Sequence, residues 1–292
     1  MTSAAPAGLV ADLIARKSYT RAIGLLEVQV RGRPTELGLR HQLADVLALA
    51  GRGAEAAPMF QALAEDLALR GRAAQAIAAA KRAQALDPAQ GGEERLAGLI
   101  HAGPEGAAAP LPTAATDDLP LSSAALREQL VGLIDEALQE TGGDAAARAR
   151  EVESPLFADF GREELVEVIR GLRLLTFEPG DIVVSEGEPG QSLFVVTTGR
   201  VRAFVRQPSG TQTPVRDLTE GDFFGEVAIL QGGRRTATIT CATPCQLLEL
   251  DRPTLEAIAA RHPGVVRIME RFRDQRAKGG VEHMIRSLGA SD

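Results

Sequence analysis

The chain has 292 residues, a formal net charge of −7, 45% hydrophobic residues and only 3% aromatic ones, with no Trp and a single Tyr. That length accommodates two modest domains, each with its own core. The acidic balance disfavours general nucleic-acid binding, which needs a clustered positive surface, so any anion site is expected to be local.

From the start of the chain, Met1 to Lys17 lacks a basic leader followed by an apolar run and a cleavage site. No stretch approaches the ~20 apolar residues of a membrane helix. A soluble cytoplasmic protein is therefore expected, with no membrane partner. Residues 9–88 read as helices broken by short turns near Lys17, Gly51 and Gly71. Three segments share a pattern: Leu9, Leu13, Ala22, Leu26 and Pro34; Leu43, Ala44, Leu47, Ala56 and Phe60; then Leu63, Ala64, Leu67, Ala76, Ala80 and Pro88. Ala in the second helix of each pair allows close approach, while Leu and Phe fill the seam. The pattern resembles the tetratricopeptide repeat, which implies a surface for a partner protein. Its register is irregular: Ala22 to Ala56 is 34 residues but Ala56 to Ala76 only 20. One helix holding Phe60 and Leu63 is expected to close the second repeat and open the third, with Pro58 near its start. A generic Ala-rich helical bundle is the alternative.

From His101 to Leu121 the composition turns to Ala, Pro and Gly, a linker signature. A helix is predicted at 123–140, stopped by Thr141-Gly142-Gly143. The predicted organisation is a helical repeat over 1–100, a linker over 101–121, and a second domain over 122–292. In that domain a helix over Gly161–Gly171 precedes short β-type runs: Leu172–Phe177, Asp181–Ser185, Ser192–Thr197, Val201–Arg206, Thr213–Leu218, Ala237–Cys241 and Cys245–Leu250. Closely spaced turns such as Pro179-Gly180-Asp181 and Glu220-Gly221-Asp222 favour a jelly-roll barrel. Helices close the chain from Pro253 to Arg261 and from Pro263 onward. The fold class is α+β. Cys241 and Cys245 are expected to be small apolar fillers rather than a redox pair, and no Cys/His quartet surrounds them for zinc. The scattered His41, His101, His262 and His283 suggest no metal or catalytic set.

The chemistry is concentrated in Phe223-Phe224-Gly225-Glu226-Val227-Ala228-Ile229-Leu230, followed by Gln231-Gly232-Gly233-Arg234-Arg235-Thr236-Ala237-Thr238. A strand ends in glycine, a short helical turn starts with a carboxylate, and an arginine pair arrives through a glycine loop. Backbone N–H groups at such a helix start form an anion cradle, and an adjacent Arg can neutralise a phosphate. The carboxylate then requires a hydroxyl donor on the same ligand. Phosphate plus ribose uses both charges.

These residues, with Phe177-Glu178-Pro179-Gly180-Asp181, Glu186-Gly187-Glu188 and Gly199, closely resemble cyclic-nucleotide-binding domains, over roughly residues 155–265. The resemblance implies that Glu226 accepts from the ribose 2′-hydroxyl and Arg235 pairs with the cyclic phosphate. Gly225, Ala228 and Thr236 then supply backbone or hydroxyl contacts. Arg234 and Thr236 stand where protein kinase A-type members have proline and alanine, and Thr236 leaves the base open. The resemblance implies cyclic AMP, because bacterial members of the family mostly use it and the composition looks bacterial, with cyclic GMP as the alternative. Met269 or Phe272 on the last helix could cap the base. The roughly thirty residues after His262 leave no room for a helix-turn-helix reader, so DNA is not an expected partner. No nucleophile–base pair is legible, so the expectation is a signalling adaptor, not an enzyme, and no cofactor. A ligand-free scaffold that keeps the barrel is the alternative.

Overall fold

The computed structural model describes residues 6–89, 91–103, 155–207, 209–231 and 233–271. Most of the predicted linker and the whole helix expected at 123–140 lie outside the described residues, as do Phe272 and His283. The described chain forms two compact units. One comprises 6–63 and the segment 82–91; the other comprises 64–81, 92–103 and 155–271.

The first unit contains α1 (Pro6–Ala15), α2 (Tyr19–Gly32), α3 (Leu37–Leu49), the start of α4 (Gly53–Leu69) and the end of α5 (Ala73–Leu86). Its buried positions follow helical spacing: Ala22, Ile23, Leu25 and Leu26 on α2, Leu43, Ala44, Val46 and Leu47 on α3, and Ala56, Ala57 and Phe60 on α4. Three helices stop in the same way. Lys17, Gly51 and Gly71 adopt φ of 56°, 76° and 74°. The next N–H in each case reaches five residues back, Ser18 to Leu13, Arg52 to Leu47 and Arg72 to Leu67, at 2.8–2.9 Å. This double-bonded stop satisfies carbonyls that the helix end otherwise leaves open. Pro58 falls six residues into α4 rather than at its start, so the Ala54 carbonyl receives no proline N–H. α1, α3 and α4 thus share this turn, whereas α2 ends at Arg33 with φ of −141°.

In the second unit α6 (Glu93–Ala102) buries Leu96 and Ala97, and α8 (Arg162–Gly171) buries Leu165, Val166, Val168 and Ile169. The one-turn helix α7 (Pro155–Ala158) precedes α8. Glu164 reaches back to accept from the Gly161 N–H at 2.9 Å, which fixes the start of α8.

Eight strands follow: β1 (Arg173–Phe177), β2 (Ile182–Val184), β3 (Ser192–Thr198), β4 (Val201–Arg206), β5 (Gln212–Leu218), β6 (Phe223–Phe224), β7 (Thr238–Cys241) and β8 (Cys245–Asp251). They form two antiparallel four-stranded sheets, ordered β1-β8-β3-β6 and β2-β7-β4-β5. Between the sheets lie Phe194, Val196, Val201, Ala203, Leu218, Phe224, Ile239, Cys241, Cys245 and Leu247. Both cysteines are thus buried members of this apolar layer. The predicted strands are found within a residue or two of their expected limits. Phe223–Phe224, the strand read as ending in Gly225, pairs with β3. Gly199 shows why its turn needs glycine: φ is 90°, and a Cβ there would lie 2.3 Å from the Pro244 carbonyl oxygen.

A short helix, α9 (Glu226–Gln231), follows β6 at the edge of the first sheet, and α10 (Arg252–Arg261) continues directly from β8. Asp251 caps α10 by accepting from the Thr254 N–H at 2.9 Å. A further helix, α11, runs over 264–271 and buries Val265, Ile268 and Met269.

Candidate functional site

The site is assembled at the edge of the first sheet, where β6 gives way to α9. Gly225 turns the chain with φ of 88°, a conformation that disfavours any side chain. Its carbonyl accepts from the Ile229 N–H at 3.1 Å and so opens α9. Glu226 is the first residue of that helix and is partly buried, while Ala228 is 2% exposed.

Arg235 arrives from the loop before β7 and is pinned by its own backbone. Its N–H donates to the Glu188 carbonyl at 2.8 Å, and its carbonyl accepts from the Gly187 N–H at 2.9 Å. One turn of the same ribbon joins Gly190 N–H to the Gly233 carbonyl at 3.1 Å. Arg234 turns outward and donates through Nη1 to the Gly187 carbonyl at 2.6 Å. The Glu186-Gly187-Glu188 turn and the arginine pair are therefore one structural piece.

The Arg235 side chain points inward and is only 8% exposed. Nη1 donates to the Ser192 carbonyl at 2.6 Å, and the guanidinium carbon lies 5.7 Å from the Phe194 ring centre. Burial pulls the guanidinium below its usual pKa, while the carboxylates of Glu249, Glu188 and Glu226 act in the opposite sense. The closeness of the parts is shown by the glycines. A Cβ on Gly225 would lie 2.6 Å from Arg235 Nη1, and one on Gly190 would lie 2.1 Å from the Ala228 Cβ. Gly225, Glu226, Ala228 and Arg235, which the sequence singles out, thus converge on one corner. Thr236 is beside them in the chain and is exposed.

Three supporting residues were not legible beforehand. Glu249, 9% exposed on β8, accepts from the Ser192 hydroxyl at 2.7 Å and from Arg173 Nη2 at 2.7 Å. Ser192 therefore links a buried carboxylate to Arg235. Arg252, the first residue of α10, donates through Nη2 to the Ala228 carbonyl at 2.7 Å and through Nε to Gln191 Oε1 at 3.1 Å. It meets one of the last carbonyls of α9, which a six-residue helix leaves without an internal partner. The only sequence hint was the charge of Glu249 within the apolar β8 and of Arg252 at the start of α10.

An inward arginine, a carboxylate at the start of a helical turn and two glycines that admit close approach form a compact corner whose groups can meet an anion and a hydroxyl. Residues 174–262 match the family model of the cyclic nucleotide-binding domain. The C-terminal half carries a cyclic nucleotide-binding domain. Human potassium/sodium hyperpolarization-activated cyclic nucleotide-gated channel 3 is 32% identical over 143 residues, covering 49% of this chain and 18% of the channel. A cyclic nucleotide-gated potassium channel of Mesorhizobium japonicum is 35% identical over 117 residues, covering 40% of this chain and 31% of that protein. The chain thus spans less than a third of either relative's length. Among solved structures, the Thermus thermophilus catabolite activator protein aligns with 26% identity and a TM-score of 0.42, covering 46% of this chain and 63% of that one.

The matched segment, residues 174–262, lies within the C-terminal half of the chain. Met269, one of the two residues expected to cap a base, is 2% exposed on α11. No helix among the described residues is long and apolar enough to cross a membrane.

Proposed function

We propose that the cyclic nucleotide-binding domain senses cyclic AMP, or alternatively cyclic GMP, and that its occupancy modulates how the N-terminal helices engage a partner protein. The observation that carries this reading is the convergence of Glu226 and the inward-facing Arg235 across Gly225, whose missing side chain leaves room only 2.6 Å from the guanidinium. Arg235 supplies charge for the cyclic phosphate and Glu226 an acceptor for a ribose hydroxyl, with Gly225, Ala228 and Thr236 around the ring. Thr236 is exposed and so accessible to a base, which fits either messenger.

The three alike helix stops at Lys17, Gly51 and Gly71 support a repeat-like N-terminal half, and such helical arrays present surfaces to proteins. In this reading the protein is a cytoplasmic adaptor, neither an enzyme nor a DNA reader. Signalling requires the ligand to favour one conformation over another; equal affinity for both transmits nothing.

A ligand-free scaffold is favoured by one specific observation. Arg235 is buried and already bonded to the Ser192 carbonyl, so the corner is internally satisfied. Thermal unfolding of the full chain with cyclic AMP, cyclic GMP and plain AMP separates the two readings. At ligand near 100 times its dissociation constant, a true site adds ~2.7 kcal/mol. A shift of several degrees with one cyclic nucleotide, absent in Arg235→Ala, supports the sensor and names its messenger. No shift in a chain that melts cooperatively supports the scaffold.

A further inference from the structure

Helix α5 begins without an acidic residue of its own. Arg72 precedes it and its first turn carries none, although the open N–H groups and positive end of a helix favour a carboxylate there. The carboxylate that arrives is Glu220, from far along the chain. Its Oε2 accepts from Gln75 Nε2 at 2.6 Å and from Arg72 Nη2 at 3.2 Å.

Glu220 sits in the turn that leads directly into β6 and the Gly225-Glu226 corner. That turn is held firmly. Asp222 accepts from the Thr219 N–H through Oδ2 at 2.9 Å, and the Gly221 N–H donates to the Val196 carbonyl at 2.8 Å. The Val196 N–H returns to the Asp222 carbonyl at 2.8 Å. Glu220 therefore moves with Phe223–Phe224 as a unit. Two turns further along α5, Lys81 Nζ donates to the Arg170 carbonyl at 3.1 Å, in the last turn of α8, where a cation is favoured.

The contact is not saturated. Arg72 Nε and Gln75 Oε1 are buried with no hydrogen-bond partner among the described residues. Docking removes their water and returns only the bonds to one carboxylate. A contact so dependent on a single charge is easily tipped.

We propose that Glu220 is a latch fastening the first turn of α5 to the turn that opens the nucleotide corner, so that the order of α5 follows the state of that corner. The latch stands on its own geometry; its control by nucleotide rests on the sensing reading above.

Amide hydrogen exchange of the full chain tests it. Glu220→Ala, or Arg72→Ala together with Gln75→Ala, is expected to raise exchange over residues 73–77 about tenfold, with Glu220→Gln intermediate and the α2–α3 peptides unchanged. Combining all three substitutions adds nothing further, because both sides of one contact are then already gone. Unchanged exchange over 73–77 in Glu220→Ala, or effects that multiply in the combination, overturns the latch. Saturating cyclic AMP or cyclic GMP should change exchange over 73–77 about threefold in the native chain and not in Glu220→Ala. Protection of the corner without any response in α5 refutes the coupling. If neither nucleotide protects any peptide, the sensing reading fails and the coupling with it, while the exchange of the free variants still decides the latch.

Discussion

Arg235 and Ser192 are joined by a 2.6 Å hydrogen bond from the guanidinium Nη1 to the backbone carbonyl, across 43 residues of chain. The site arginine is thus part of the ligand-free fold, and its removal has a cost of its own. Arg235→Ala leaves the Ser192 carbonyl without this donor and is expected to lower the stability of the free protein by about 1–2 kcal/mol. Calorimetry without ligand should show a melting temperature about 2–6 °C lower. An unchanged value would mean that Arg235 contributes nothing to the resting corner, and ligand-induced shifts are to be measured from each variant's own baseline.

Gly190→Ala places a methyl 2.1 Å from the Ala228 Cβ and 3.2 Å from Arg235 Cδ. Both the strand entry and α9 must then shift. The expected loss is about 1–3 kcal/mol by overpacking, accompanied by loss of any nucleotide-induced stabilisation. Gly233→Ala is the matched control, since nothing lies within 4 Å of its added carbon, and a change within about 0.5 kcal/mol is expected. Equal chemical denaturation midpoints for the two variants would contradict the packing argument.

His41 belongs to a polar cluster of the helical unit. Its Nδ1 is 3.4 Å from Asp45 Oδ2, its ring meets Phe60 edge-on at 5.7 Å, and Arg82 pairs with Asp45 over the same Phe60. Burial lowers its pKa; Asp45 opposes this and Arg82 adds to it. The unfolded chain therefore binds the proton more readily than the folded one. This contribution to stability is present above the free imidazole value of about 6.5 and is lost as pH falls through it towards the lower folded value. Denaturation midpoints followed between pH 8 and 5 should decline less steeply in His41→Gln than in the native chain; parallel curves would exclude His41 as a source.

The Cys241 thiol is pushed up to about 12, first by burial and then by the adjacent Cys245. A thiol of that kind is scarcely ionised at pH 8 and reacts slowly. Alkylation followed by mass spectrometry is expected to leave Cys241 unmodified in the native protein and to modify it fully in denaturant. Rapid native labelling would show that the β7–β8 hairpin opens readily.

Much of the strand placement along the chain was legible because each strand is short, β-rich and bounded by turn residues. Thr198-Gly199 and Glu220-Gly221-Asp222 punctuate the chain at the ends of β3 and before β6, as the structure shows. The juxtaposition of the Gly225–Arg235 corner was legible for the same reason: Gly225, Glu226 and Ala228 lie in one local turn, and Arg235 is only nine residues further than Glu226. Ser192, Glu249, Gly190 and Arg252 were not legible. Each acts on a neighbour that the chain reaches only after the sheets have formed, and charge or small size alone does not name a partner.

The sequence by itself determined where the backbone turns and which faces are apolar, because φ preferences and hydrophobic periodicity are set by residues close in the chain. It thereby determined that Gly225, Glu226 and Arg235 stand near one another. Only the tertiary structure decided that Arg235 faces inward onto Ser192 and Phe194, that Glu249 backs it, and that Glu220 meets the start of α5. Those pairings depend on strand register and helix docking, where burial of the whole apolar layer selects among many locally acceptable arrangements.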